Sequence, residues 1–147
     1  MQDGSKAKER KMDILKWLAR FGVVTVLFLA VDMVWLVLVA RNFYSKHLGF
    51  LMRDPVNWPA ALIFYGLFVV GMLFFAIHPA LEKDSLGYAM LAGALFGLMT
   101  YATYDPTNLA TLKDWPLIVT VVDLVWGTFV STAVSTGGYL VIKKWVP

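Results

Sequence analysis

Four apolar runs restrict this chain more than anything else in it: residues 15–40, 58–77, 86–104 and 115–141, separated by short polar stretches. About 20 helical residues cross the ~30 Å of hydrocarbon in a bilayer, and each run meets that length. No water is present at that depth to accept or donate hydrogen bonds, so each run must satisfy its own backbone as a helix. A closed barrel would need strands of alternating polarity, and the runs do not alternate. With 59% hydrophobic and only 16% charged residues, the composition lies far from that of a soluble domain. The fold expected is all-α: a polytopic four-transmembrane-helix bundle over residues 14–147, preceded by a basic tail at 1–13. The first run is read as a retained span, since it is long, contains Asp32 and is followed by no cleavage pattern of small residues.

Basic residues give the orientation. Lys6, Lys8, Arg10, Lys11, Lys16 and Arg20 lie before or at the start of the first run, and Lys83, Lys143 and Lys144 fall on the same side of a four-span chain. Arg41, Lys46, Arg53 and Lys113 fall on the other. Positive charge is retained inside, so both termini are expected in the cytoplasm.

Within the apolar runs stand two carboxylates, Asp32 and Asp123. Placing one in hydrocarbon costs about 2.5–3.5 kcal/mol on insertion scales, so such a residue is expected to face the bundle interior. Asp123, Gly127, Ser131 and Ser135 follow one another at four-residue spacing, a stripe on which a second helix can come close. Val31-Asp32-Met33-Val34-Trp35 is nearly repeated as Val122-Asp123-Leu124-Val125-Trp126. Asp32 is late in an outward span and Asp123 early in an inward one, so each lies roughly 6–8 Å outside its helix midpoint. Tyr65, Tyr101, Tyr104, Asp105 and Asn108 fall in the same half, which predicts one outward-facing acidic and aromatic pocket with Trp35 and Trp126 among its walls. Gly93 and Gly97 form a GxxxG pair for helix packing.

Punctuation between the spans is legible too. Asn57-Trp58-Pro59 is expected to open the second helix with an Asn cap and a first-turn proline, and Asp114-Trp115-Pro116 to open the fourth in the same way. His78-Pro79 is expected to close the second helix, and the segment 41–57 to run along the membrane interface. There is no cysteine, and the two histidines, His47 and His78, have no partner at ligand spacing, so no metal and no cofactor are expected. No phosphate-binding or nucleotide motif occurs, and nucleic acid is not an expected partner.

The run Tyr104-Asp105-Pro106-Thr107-Asn108-Leu109-Ala110-Thr111-Leu112-Lys113-Asp114-Trp115-Pro116-Leu117, with Val119-Thr120-Val121-Val122-Asp123-Leu124-Val125-Trp126-Gly127-Thr128 after it, resembles the bacterial membrane proteins called domain of unknown function 2177. Asp32-x-x-Trp35, Phe43-Tyr44 with Leu48-Gly49, Phe64-Tyr65 and His78-Pro79-Ala80 extend that resemblance over nearly the whole chain after its tail. It implies a small multi-pass protein of the bacterial inner membrane, and it brings neither an activity nor a catalytic residue.

Three functional readings follow. In the first, the pocket binds or transports a proton, a cation or a small cationic solute, Asp32 and Asp123 supplying charge. In the second, the chain is a subunit or assembly factor of a larger membrane complex, docking through its small-residue faces. In the third, it modifies a lipid or isoprenoid with its paired carboxylates as acid and base, although no Ser-His pair or metal set accompanies them. Membrane lipids and either a second copy of the chain or a larger membrane complex are the expected partners.

Overall fold

The computed structural model describes residues 2–146, and every regular element among them is helical. Helix α1 (Gln2–Trp35), a wider π-helical segment π1 (Leu36–Ala40) and α2 (Arg41–Leu48) run on as one rod. A second rod joins α3 (Trp58–Met72), π2 (Leu73–Ile77) and α4 (His78–Glu82). Helices α5 (Leu86–Thr111) and α6 (Leu117–Trp145) are the third and fourth. Four stretches, Glu9–Leu48, Trp58–Glu82, Leu86–Thr111 and Leu117–Trp145, are long and apolar enough to cross a membrane. The protein is thus an all-helical, multi-pass membrane protein.

Three local expectations need correction. His78-Pro79 does not close the second helix, which continues to Glu82. Pro79 has no N–H for the helical ladder and its ring crowds the preceding turn; the widened π2 turn directly before it takes up that misfit. The segment after Ala40 does not leave the first helix for the interface at once, because α2 prolongs it to Leu48 before the exposed connection 49–57. Nor does Asp114-Trp115-Pro116 repeat the Asn57 cap. Asn57 accepts a bond from the Ala60 N–H at 3.3 Å, with Pro59 in the first turn. Pro116 itself is the N-cap of α6, and Asp114, two residues earlier, takes a left-handed φ of 62° to turn the chain. Trp115 is consequently tucked inside, 8% exposed, donating to Thr120 Oγ1 at 3.1 Å, whereas Trp58 is 64% exposed.

Helix α5 also passes through a proline, Pro106. Thr107 Oγ1 donates to the carbonyls of Thr103 (2.5 Å) and Tyr104 (2.8 Å), and Thr103 Oγ1 to that of Met99 (2.7 Å). Such back-bonding adds donors to carbonyls in the turns around the proline, whose missing N–H leaves the Ala102 carbonyl without its helical partner.

Packing between spans follows membrane rules, in which small residues replace the hydrophobic drive available in water. A Cβ on Gly93 would sit 2.7 Å from Ser135 Cβ, and one on Gly97 would run into the Gly127 carbonyl oxygen. Helices α5 and α6 therefore touch backbone to backbone along the stripe that carries Gly127, Ser131 and Ser135, all buried. Val24, Phe28, Phe68, Met72, Val130 and Val134 fill the centre, while Val37, Leu38, Leu62 and Phe74 point outward as the face for lipid tails.

The end of the bundle that holds both termini is tied by polar contacts. Arg20 Nε donates to the Val146 carbonyl at 3.4 Å. Lys143 pairs with Asp84 in the loop between the second and third spans, and the Tyr139 hydroxyl donates to the same Asp84 oxygen at 2.9 Å. The Lys143 ammonium, with the Tyr139 hydroxyl, holds the Asp84 carboxyl below its usual range.

Candidate functional site

At the opposite end, the two echoed pentads meet. Asp and Trp three residues apart share a helix face, and α1 and α6 run antiparallel, so the two motifs cross. The Trp35 and Trp126 rings stack, centroids 4.4 Å apart and planes 10° from parallel. Both aspartates are buried, at 6% and 7% exposure, and each has a tyrosine donor. The Tyr65 hydroxyl donates to Asp32 Oδ2 at 3.1 Å, and the Tyr44 hydroxyl donates to Asp123 Oδ1.

Asp32 and Asp123 are not hydrogen-bonded to each other, each being taken up by its own tyrosine. The carboxyl lying against Asp123 is that of Asp105, on α5. Asp105 is 1% exposed, and neither of its oxygens receives a bond from a tyrosine, indole or backbone donor. Asp105 is thus a buried carboxyl with no donor of its own, beside a second buried carboxyl whose donor is Tyr44.

Tyr101 is the hub. It lies within electrostatic reach of Asp32, Asp105 and Asp123 together, and its ring occupies the space above Gly127, where any Cβ would collide with it. Gly127 thus has a second task beyond helix packing, which is to seat that ring. An open cavity of about 160 Å³ has Asp32, Trp35, Tyr65, Tyr101 and Trp126 in its walls together with Tyr44, Phe28, Phe64 and Leu36, so all four spans contribute. A neighbouring cavity of about 290 Å³ is bounded by Asp105, Tyr104, Thr100 and Phe68. Tyr101 and Phe64 line both, forming the partition between them.

The expected single pocket is therefore two adjoining ones, since Tyr101 stands across the space between the carboxylates. Tyr104, 60% exposed, stands at the rim with its ring edge-on to Trp115 at 5.7 Å. Asn108 lies one turn beyond Asp105, half-buried, and lines neither cavity. Tyr44, Phe28, Phe64 and Thr100 were not among the residues expected here. Phe28 had a signal, standing four residues before Asp32 and so on its face. Tyr44 had none. On an unbroken α-helix it would sit about 120° round from Asp32, and the one-residue offset of the π1 turn swings it back.

Among the described residues no three His, Asp or Glu side chains converge in a way that would hold a metal ion. What the arrangement offers instead is a carboxylate in an aromatic box and, behind a tyrosine partition, a carboxyl pair.

Comparison with known proteins adds a family and no activity. Neither the curated proteins nor the solved structures include a match to this chain. The model of the family described as "Predicted membrane protein (DUF2177)" matches residues 17–140, from Trp17 beside the basic tail to Leu140 near the end of α6, and so takes in every wall of both cavities. This chain belongs to that family, the predicted membrane proteins of DUF2177.

Proposed function

We propose that this protein binds a small organic cation in the aromatic-walled cavity, Asp32 supplying the counter-charge, and that binding is linked to a proton held between Asp105 and Asp123. The observation that carries this reading is the cavity lining: one buried carboxylate surrounded by Trp35, Trp126, Tyr44, Tyr65 and Tyr101. Aromatic faces attract ammonium groups by about 0.5–2 kcal/mol each, more where water is excluded, and quaternary ammonium is the ligand such boxes suit best. A bare metal ion needs several converging oxygens or nitrogens, which the site lacks. A cavity of about 160 Å³ admits only a small head group. The basic flanks argue for cytoplasmic termini and a site opening to the outside, and the family resemblance for the bacterial inner membrane.

The reading as an assembly subunit is weaker, because the small-residue face that would dock a foreign helix, Gly93 and Gly97, is filled by α6 of the same chain. The test is calorimetry on the purified protein with tetramethylammonium as probe. Saturable binding is expected, reduced about tenfold or more in Asp32→Asn, in line with loss of a desolvated counter-charge. Repeating the titration in buffers of different ionisation heat should reveal proton exchange in the parent and none in Asp123→Asn. Absence of binding, or equal binding by parent and Asp32→Asn, would overturn the proposal.

A further inference from the structure

A second constellation lies at the terminal end of the bundle, remote from the carboxylates. Lys16, Trp17 and Arg20 on α1 face His78 across a cleft of about 360 Å³, whose wall also includes Asp13. Trp17, Arg20 and His78 continue into a second cleft of about 220 Å³ whose remaining walls, Leu73, Phe74, Ile77 and Leu81, are wholly apolar. The two share one line of side chains, so a basic compartment opens directly into a hydrocarbon-lined one. Among the described residues neither Lys16 nor Arg20 is within ion-pair distance of a carboxylate, Asp13 included. Arg20 uses Nε on the Val146 carbonyl, which aims its guanidinium and leaves the two terminal nitrogens available. Trp17 stacks on Phe21 at 5.9 Å, a rigid aromatic wall at the junction.

We infer that this double cleft is a site for an anionic phospholipid of the membrane leaflet at the terminal end. The phosphate and glycerol head sits against Lys16 and Arg20, beside His78, whose Nε2 stands 3.5 Å from Glu82, and one acyl chain follows Phe74 and Leu81 along the outside of π2 and α4. Charge and shape both select this occupant. Unpaired cations at headgroup depth attract an anionic head, and an adjoining apolar groove on the lipid-facing side suits a tail and nothing water-soluble. The inference is independent of the cation site, whose residues lie at the other end of the bundle.

The experiment uses the full chain reconstituted in dioleoyl-phosphatidylcholine, with brominated phosphatidylglycerol or brominated phosphatidylcholine as contact quenchers of tryptophan fluorescence. The parent should show a saturable preference for the anionic lipid. Lys16→Gln, which removes a side chain without a protein partner, should weaken that preference about fivefold, and the double variant Lys16→Gln/Arg20→Gln should abolish it. Trp17→Phe should remove most of the quenching specific to phosphatidylglycerol. Lys144→Gln, a charge outside the cleft, should leave the preference intact. Equal association of both lipids with the parent, an unaltered preference in Lys16→Gln, an equal loss in Lys144→Gln, or displacement by millimolar inorganic phosphate would overturn the assignment.

Discussion

Removing the Tyr44 hydroxyl strips Asp123 of its donor while leaving the ring in place. Tyr44→Phe should therefore destabilise the protein by about 1–3 kcal/mol, the usual cost of an orphaned buried polar group, read as loss of thermal stability in detergent. Tyr65→Phe acts on Asp32 by the same route, across a longer bond. Asp84, exposed and outside the membrane, behaves differently. Its carboxyl is held low by Lys143 and Tyr139, so its contribution is complete above the ordinary carboxylate range and is lost as pH falls through the lowered value. Asp84→Asn should lower the melting temperature slightly at pH 7, and the difference from the parent should shrink as the pH falls through the lowered carboxyl value. Asn tolerates the left-handed φ of 47° at this position, so the comparison isolates charge from backbone strain.

At the scale of the element, the α5–α6 contact is the joint on which the site hangs. Gly97→Ala puts a methyl group into the Gly127 carbonyl, a backbone atom that cannot swing aside. A cost of about 1–3 kcal/mol is expected from overpacking, measured by chemical or thermal unfolding in micelles. Because Gly127 also seats Tyr101, Gly97→Ala should weaken tetramethylammonium binding as well, whereas Gly66→Ala, which meets open space, should change neither. This joint was legible in the sequence, since small residues every fourth position on two long apolar runs have few other uses. The π segments were not. They are set by how each rod accommodates its neighbours, and no residue type within Leu36–Ala40 announces the extra width.

For the whole molecule, four spans bring Arg20 of α1 and Val146 after α6 to one end of the bundle and put the carboxylate site at the other. The chain contains no cysteine, so single-cysteine variants report cleanly on sidedness. Met52→Cys and Lys113→Cys should label together from one side of intact cells, and Lys83→Cys only after permeabilisation. Labelling of Met52→Cys and Lys83→Cys from the same side would contradict the four-span order.

The sequence by itself determined the membrane-spanning helices, their number and the small-residue stripes on the third and fourth of them. Run length, the need to satisfy the backbone within each span, and a rise of about 1.5 Å per residue depend on nothing remote in the chain. Tertiary structure alone decided which carboxyl faces which. Azimuth about a helix axis accumulates every local departure from 3.6 residues per turn, and π1 is such a departure, so it took the assembled bundle to turn Tyr44 toward Asp123. The packing of α5 on α6 likewise set Asp105 beside Asp123 and stood Tyr101 between that pair and Asp32.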